Sequence, residues 1–466
     1  MSGHGRLFAR AESPAAAAAS ALAWLWRLGP LLDEPAADAV AIGAMEEETE
    51  LRPLLESGRV CGLVLFAPEP GPAAGRVPSR RQVEGVARFG PKQRIAGPFT
   101  VFEDGESAAR SSLGSHAVRD GRTLLLAADS GTAWSELRGF WCLGALAPFL
   151  ADVLTRPLPM LPPVGCVRLD DVPGTAQHQA QGTAHPDGRQ RRRVRRMRGA
   201  YEAAGARLNV AVTVRALAGE EQVPLERVWP RSIAALADGV RAGVFEPVCH
   251  GYLHLDPEAF ADGRIEFREF GALDEEEAGR RLDAALTWQE EVLGGRPRTF
   301  VAPAWAYSDG ALAAAAARRL PAWRAAGLGP LLEDGIVRET VHSALRGLHG
   351  LDYGPFAALA AHGLPPTAVL HGGLFDLRLS QLRESRDAVT LARLALRRDI
   401  LRLPRLQGLC WIGAGELVQL LERHESVEVH GAEVDIGDAE HAYVLRPGAA
   451  RPEPAGAGRA ATIRSP

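Results

Sequence analysis

The sequence predicts an α/β protein in two domains: a smaller layered α/β domain over 1–160, then a (β/α) barrel over 161–425. Two observations predict this. Short apolar runs of strand length alternate with helical stretches, at spacings that suit crossover connections between parallel strands. A proline cluster at 157–163 (PLPMLPP) interrupts the alternation with the stiff composition that separates units. The 466 residues are 46% hydrophobic and 24% charged, which excludes a disordered, fibrous or polytopic membrane chain. A net charge of −4 gives no electrostatic reason for a polyanionic partner, so nucleic acid is not expected.

In the first domain the elements are a helix over 15–28, strands at 40–43, 60–66 (VCGLVLF) and 123–128 (TLLLAA), and a long apolar helix over 134–154. The proline- and glycine-rich stretch 68–81 reads as a loop, and Asp129-Ser130-Gly131 as a plain turn. The 15–28 stretch is preceded by Glu12 and Pro14 and interrupted by Arg27, unlike a signal peptide, and it is too short to span a bilayer. Five scattered cysteines without a C-x-x-C pair indicate neither a disulfide framework nor a structural zinc knot. A cytoplasmic location is expected.

In the second domain strand-like runs recur at 166–169, 208–214, 247–249, 299–301, 367–370 and 408–412. The segment 278–293 sets Leu282, Leu286 and Leu293 on one helical face and stops at Gly294-Gly295, with Pro297 beyond. The arginine run 189–198 (RQRRRVRRMR) reads as the solvated face of the first barrel helix, with Val194 and Met197 turned inward. Residues 426–466 form a C-terminal extension, expected to be mostly disordered after 446.

A barrel of parallel strands gathers chemistry at the strands' carboxyl ends. There the sequence offers Asp170 and Asp171; then His250 and His254; then Pro303 and Trp305; then His371. Two histidines four apart are weak evidence alone, since 13 histidines in 466 residues give roughly 0.4 such pairs by chance. Their coincidence with paired aspartates at a strand end is stronger. Adjacent carboxylates there point in different directions, so one can ligate a metal while the other faces water. Two imidazoles and one carboxylate leave coordination positions open, the requirement of a catalytic rather than a structural ion. Asp170 is then placed to take a proton and His371 to return one to a leaving amine. His178 and His185 read as residues of a surface loop, and Trp305 and Tyr307 also suit a core.

The series Asp170-Asp171, His250-Gly-Tyr-Leu-His254, Phe300-Val-Ala-Pro303-Ala-Trp305 and Leu370-His371 resembles the polysaccharide deacetylase superfamily, carbohydrate esterase family four with its NodB-type domain, in a divergent branch. The resemblance covers residues 164–422. It implies a distorted (β/α) barrel in which Asp171, His250 and His254 bind one divalent metal, zinc before cobalt, nickel or manganese. Asp170 is then the base, His371 the acid, and Pro303 and Trp305 line the substrate groove. The implied activity is removal of an N-acetyl group from an amino sugar of a glycan or glycoconjugate.

Two features depart from the pattern. The arginine that orients the base would fall near Val301 and is absent, and the carboxylate partner of the acid histidine is either Asp376 or Asp399. The alternatives are a non-catalytic glycan-binding protein on the same scaffold and a hydrolase of a small non-sugar amide.

Overall fold

The computed structural model describes residues 6–455 apart from 71–77, 89–93, 113, 131–139, 181–183, 185, 220, 257–258, 261, 265, 325–330, 339, 342–353, 372–400, 402, 431–432, 436–441 and 450–451. The first sheet contains β1 (Arg6–Phe8), β2 (Ala39–Ala44), β3 (Gly62–Phe66), β4 (Arg80–Arg88), β5 (Arg94–Phe102), β6 (Glu106–Ser111), β7 (Gly114–Asp120) and β8 (Thr123–Leu126). Its spatial order is β1-β2-β3-β8-β7-β5-β4, with β6 beside β7. The apolar runs β2, β3 and β8 form its parallel centre, as their near-continuous hydrophobicity requires of strands covered on both faces. The antiparallel β4–β7 arm was not foreseen, and β4 begins inside the stretch read as a loop. Helices α1 (Ala16–Leu25) and α2 (Phe140–Val153) bury apolar side chains against this sheet.

β9 (Leu158–Met160) carries the chain through the proline cluster into β10 (Val164–Asp170), fully buried along its length. Helix α3 (Asp187–Glu202) follows, with Val194 and Met197 buried as expected and the run's arginines facing outward. Then come β11 (Leu208–Val212), the hairpin β12 (Arg215–Ala218) and β13 (Glu221–Pro224), and β14 (Phe245–Cys249). Helix α4 (Glu275–Trp288) runs through one wider turn to Gly294, where φ of +78° closes it at the predicted stop. The remaining strands near the site are β15 (Ala322–Arg324), β16 (Leu332–Glu333), β17 (Ile336–Arg338), β18 (Thr340–Val341), β19 (Pro366–His371) and β20 (Cys410–Trp411).

β18, β19, β10, β11 and β14 lie side by side and parallel. Phe300 extends the run through single parallel bridges to Cys249 and to Ala322 of β15, so the expected 299–301 strand is one bridge residue. β20 pairs with the start of β10. Closure into a barrel is not seen among the described residues. Parallel pairing nevertheless points the carboxyl ends of these strands the same way, which is what the site needs.

One cluster of buried side chains joins Leu22, Trp26, Val64 and Leu146 to Cys166, Val248, Trp323 and Leu417, so the first sheet and the site-bearing sheet share packing. Helix α5 (Ala414–Glu425) fastens this contact. His424 Nε2 donates to the Leu25 carbonyl at 2.8 Å, and Arg27 Nη2 donates to the Glu425 carbonyl at 2.6 Å. Beyond it, β21 (Glu428–His430) and β22 (Glu433–Asp435) make a hairpin, while β23 (Tyr443–Leu445) pairs with both β9 and β24 (Glu453–Pro454). The extension thus contributes strands, one of them beyond 446. Residues 456–466 lie outside the described residues.

Burial pushes the His424 imidazole down to about 4. The unfolded chain titrates near 6.5, so between these values the unfolded state holds the extra proton and stability rises with pH. Acidification from pH 6.5 to 4 should therefore remove on the order of 3 kcal/mol through this residue alone. Urea unfolding at pH 4.5, 5.5 and 6.5 should show the chain losing more stability on acidification than His424→Gln does; parallel curves would contradict it.

Candidate metal and active site

Three donors meet where β10 and β14 end. Asp171 follows β10 directly, and His250 follows β14. His254 reaches the same point because the intervening Gly-Tyr-Leu turns tightly, with φ of +83° at Gly251 and +64° at His254. Asp171 itself has φ of +65°, a left-handed conformation that aspartate and histidine adopt more readily than most side chains. That turn parts the two carboxylates: Asp170 stays with the strand while Asp171 faces the imidazoles.

His250 Nε2 lies 3.3 Å and His254 Nε2 3.0 Å from Asp171 Oδ1, and the three residues are buried. His250 Nδ1 lies 2.7 Å from the Val301 carbonyl, so that nitrogen carries the proton and Nε2 presents its lone pair inward. Burial alone would raise the Asp171 carboxyl, but the adjoining His254 and His250 imidazoles outweigh it and hold the carboxyl well below its usual range. His254 is pushed up, since the Asp171 charge overcomes the burial that would lower it.

The set fits a divalent cation. Asp171 Oδ1 is buried without a well-aligned hydrogen bond, and one donor atom from each residue lies within 4.8 Å of the others. Zinc bonds to nitrogen and oxygen of about 2.0–2.2 Å make a tetrahedron with edges of about 3.3–3.6 Å. The His250–Asp171 separation of 3.3 Å falls at the lower end of that range, and the His254–Asp171 separation of 3.0 Å lies just below it.

Asp170 is held differently. Arg168, two residues earlier on the same strand face, donates Nε to Oδ1 at 2.7 Å and Nη2 to Oδ2 at 3.1 Å, and both side chains are 1% exposed. The arginine also lies over the Trp323 ring, 5.8 Å from its centroid. Arg168 thus grips the Asp170 carboxylate with a two-bond fork. The reading of the sequence overlooked it. A signal was there, in an arginine within an otherwise apolar strand and in register with a carboxylate two positions on.

A cavity of about 180 Å³ opens over these groups, lined by Asp170, Asp171, His250, His254 and Trp305, with Phe267, Val301, Ala302 and Ala304. Phe267 had no sequence signal. Pro303 is not among the residues lining this cavity. It is buried, and its Cδ lies 3.3 Å from where a Cβ on Gly251 would stand, while left-handed Ala304 and Trp305 turn the chain back towards the cavity. Tyr307 is a fastening: its hydroxyl accepts from the Ala302 amide at 2.9 Å and donates to the Trp323 carbonyl at 2.6 Å.

His371 ends β19 in register with Asp170, so its backbone stands beside the site. Asp376 and Asp399 lie outside the described residues, as does His185. His178 binds locally, its Nδ1 3.0 Å from the Thr175 hydroxyl, and is not among the residues lining the cavity.

No family model and no curated protein matches the chain. Solved structures resemble it. The Xyl-CE4 domain of a multidomain xylanase from the hindgut metagenome of Trinervitermes trinervoides is 12% identical over 55% of this chain and 90% of its own, with a TM-score of 0.31. A family 4 carbohydrate esterase from Streptomyces lividans, in complex with acetate, is 13% identical over 54% and 92%, with a TM-score of 0.29. A CE4 family pseudoenzyme from Bacillus anthracis is 11% identical over 56% and 66%, with a TM-score of 0.30.

Truncating Arg168 leaves the Asp170 charge without its buried fork. Arg168→Met is expected to lose roughly 3–5 kcal/mol, and the double change Arg168→Met with Asp170→Leu to recover much of that loss. Denaturant midpoints of the three proteins check it; equal losses in the single and double variants would show that the pair is not coupled.

Proposed function

We propose that this chain is a metal-dependent hydrolase that removes an N-acetyl group from an amino sugar of a glycan or glycoconjugate. The observation that carries the reading is the buried Asp171, His250 and His254 triad opening onto a cavity that Asp170 also lines. These three hold one divalent ion, zinc by the match of donor set and spacing, with cobalt, nickel and manganese as alternatives. When bound, such an ion supplies a Lewis acid for the acyl carbonyl and lowers the pKa of water.

The protein's own groups do the rest. Arg168 fixes Asp170 in one orientation, and Asp170 takes the proton of the attacking water. His371, at the neighbouring strand end, returns a proton to the departing amine. Trp305 and Phe267 offer aromatic walls for a sugar face. The unit 161–425 carries the chemistry; the described parts of 1–160 and of the 426–466 extension pack around it, and the setting is the cytoplasm. No helix among the described residues is long and apolar enough to cross a membrane.

Purified protein is expected to hold about one divalent ion per chain by elemental analysis, and His250→Ala to lose both the ion and acetate release from acetylated chitooligosaccharides. Metal retained after changing His250 and His254 together would end the reading. Asp170→Asn should keep the metal and lose roughly 10²–10⁴-fold in turnover. Release of acyl groups from small amides but from no sugar would move the substrate class. Sugar binding without acetate release at any metal loading would mark a glycan-binding protein.

A further inference from the structure

We infer that Glu269 is a positioning residue for the metal site, fixing the backbone from which His254 projects. The inference rests on the reading of Asp171, His250 and His254 as ligands. The two imidazoles are held in different ways. His250 is steered through its own ring by the Val301 carbonyl. His254 Nδ1 is buried and has no hydrogen-bond partner, so the usual outer contact that orients a ligating histidine is missing.

The main chain supplies the orientation instead. Glu269, 2% exposed, accepts three successive amides: Tyr252 N–H at 3.2 Å, Leu253 N–H at 3.0 Å and His254 N–H at 2.8 Å. Consecutive N–H groups converging on one anion make a nest, and the carboxylate holds the turn closed. Arg281 Nη1 adds its charge at 3.3 Å, with 11% of its side chain exposed. Arg281 is itself placed by α4, where Glu277 one turn earlier accepts its Nε at 2.7 Å and Asp274 caps the helix by accepting the Glu277 amide at 2.9 Å.

Gly251 completes the device. A Cβ there would stand 2.8 Å from Glu269 Oε2 and 2.8 Å from Phe270 Cε2, at a φ that L side chains avoid. Closing the turn puts His254 in the left-handed conformation that brings Nε2 to 3.0 Å from Asp171. Glu269 is not among the residues lining the cavity, so it acts through His254 and not on a substrate.

Cobalt(II) titration of the purified full chain tests this, read as affinity and as the visible absorption bands that report coordination geometry. Glu269→Gln keeps the volume but loses the charge and sets an NH₂ donor among the amides. Expected is a loss of about 10–100-fold in cobalt affinity with altered bands, and a smaller loss in the same direction for Arg281→Met. Wild-type protein that takes up no cobalt would refute the ligand reading itself. Wild-type affinity and bands in Glu269→Gln would overturn the inference alone, as would a lowered melting temperature with bands unchanged. Should Glu269→Gln prove insoluble, unchanged affinity and bands in Arg281→Met would overturn it equally.

Discussion

The constraint on which the rest depends is that one buried carboxylate, Asp171, is shared by two buried imidazoles. Desolvating a carboxylate is costly unless cations or strong donors surround it. The neighbourhood is arranged to tolerate it. His254 is drawn towards its charged form by Asp171, and His250 is fixed in one tautomer by a carbonyl. A cation shared by all three would serve the same electrostatic end, which is why a donor set of this kind and a metal site look alike before any ion is added.

Two further buried carboxylates flank the triad, each gripped by an arginine, and the grips do different jobs. Arg168 binds Asp170 through a two-bond fork along one strand, which fixes the orientation of a group facing the cavity. Arg281 meets Glu269 through one longer contact, while the backbone amides make the shorter ones. Charge-assisted forks fix side-chain direction, whereas an amide nest fixes main-chain shape. The site therefore has one carboxylate locked for presentation and another spent on folding a loop.

What the sequence disclosed, and what it did not, follows from the range of the interactions. β2, β3, β8, β10, β11 and β19 were legible because strands covered on both faces are near-continuous apolar runs. Asp171, His250 and His254 were legible because strand ends are where packing does not ask for such groups. The β4–β7 arm was not, since RQVEGVAR and ESAARS mix charge with small residues and resemble loops by composition. Arg168 was readable in principle from period-2 geometry. Glu269 was not: it lies 15 residues beyond His254, in a segment without regular structure, and its partners are backbone amides, which leave no trace in residue types. Motif order alone could not tell which of Pro303 and Trp305 lines the cavity, since it says nothing of which residue of a turn faces inward.

Backbone conformation ties these observations together. Among the described residues eight non-glycine positions have positive φ, and four of them, Asp171, His254, Ala304 and Trp305, line the cavity. Random scatter over the chain would not concentrate half of them in nine lining residues. Each such residue costs on the order of 1 kcal/mol or more unless the surroundings enforce it. The enforcement is visible at each strand end: the triad contacts at Asp171, the amide nest at His254, and the Tyr307 hydroxyl bridging Ala302 and Trp323 beside Ala304 and Trp305. A parallel sheet delivers chain ends pointing the same way, and only sharp reversals turn their side chains back onto one point. Strain at those reversals is thus the structural cost of convergence, and the polar fastenings around it are what let the chain bear that cost.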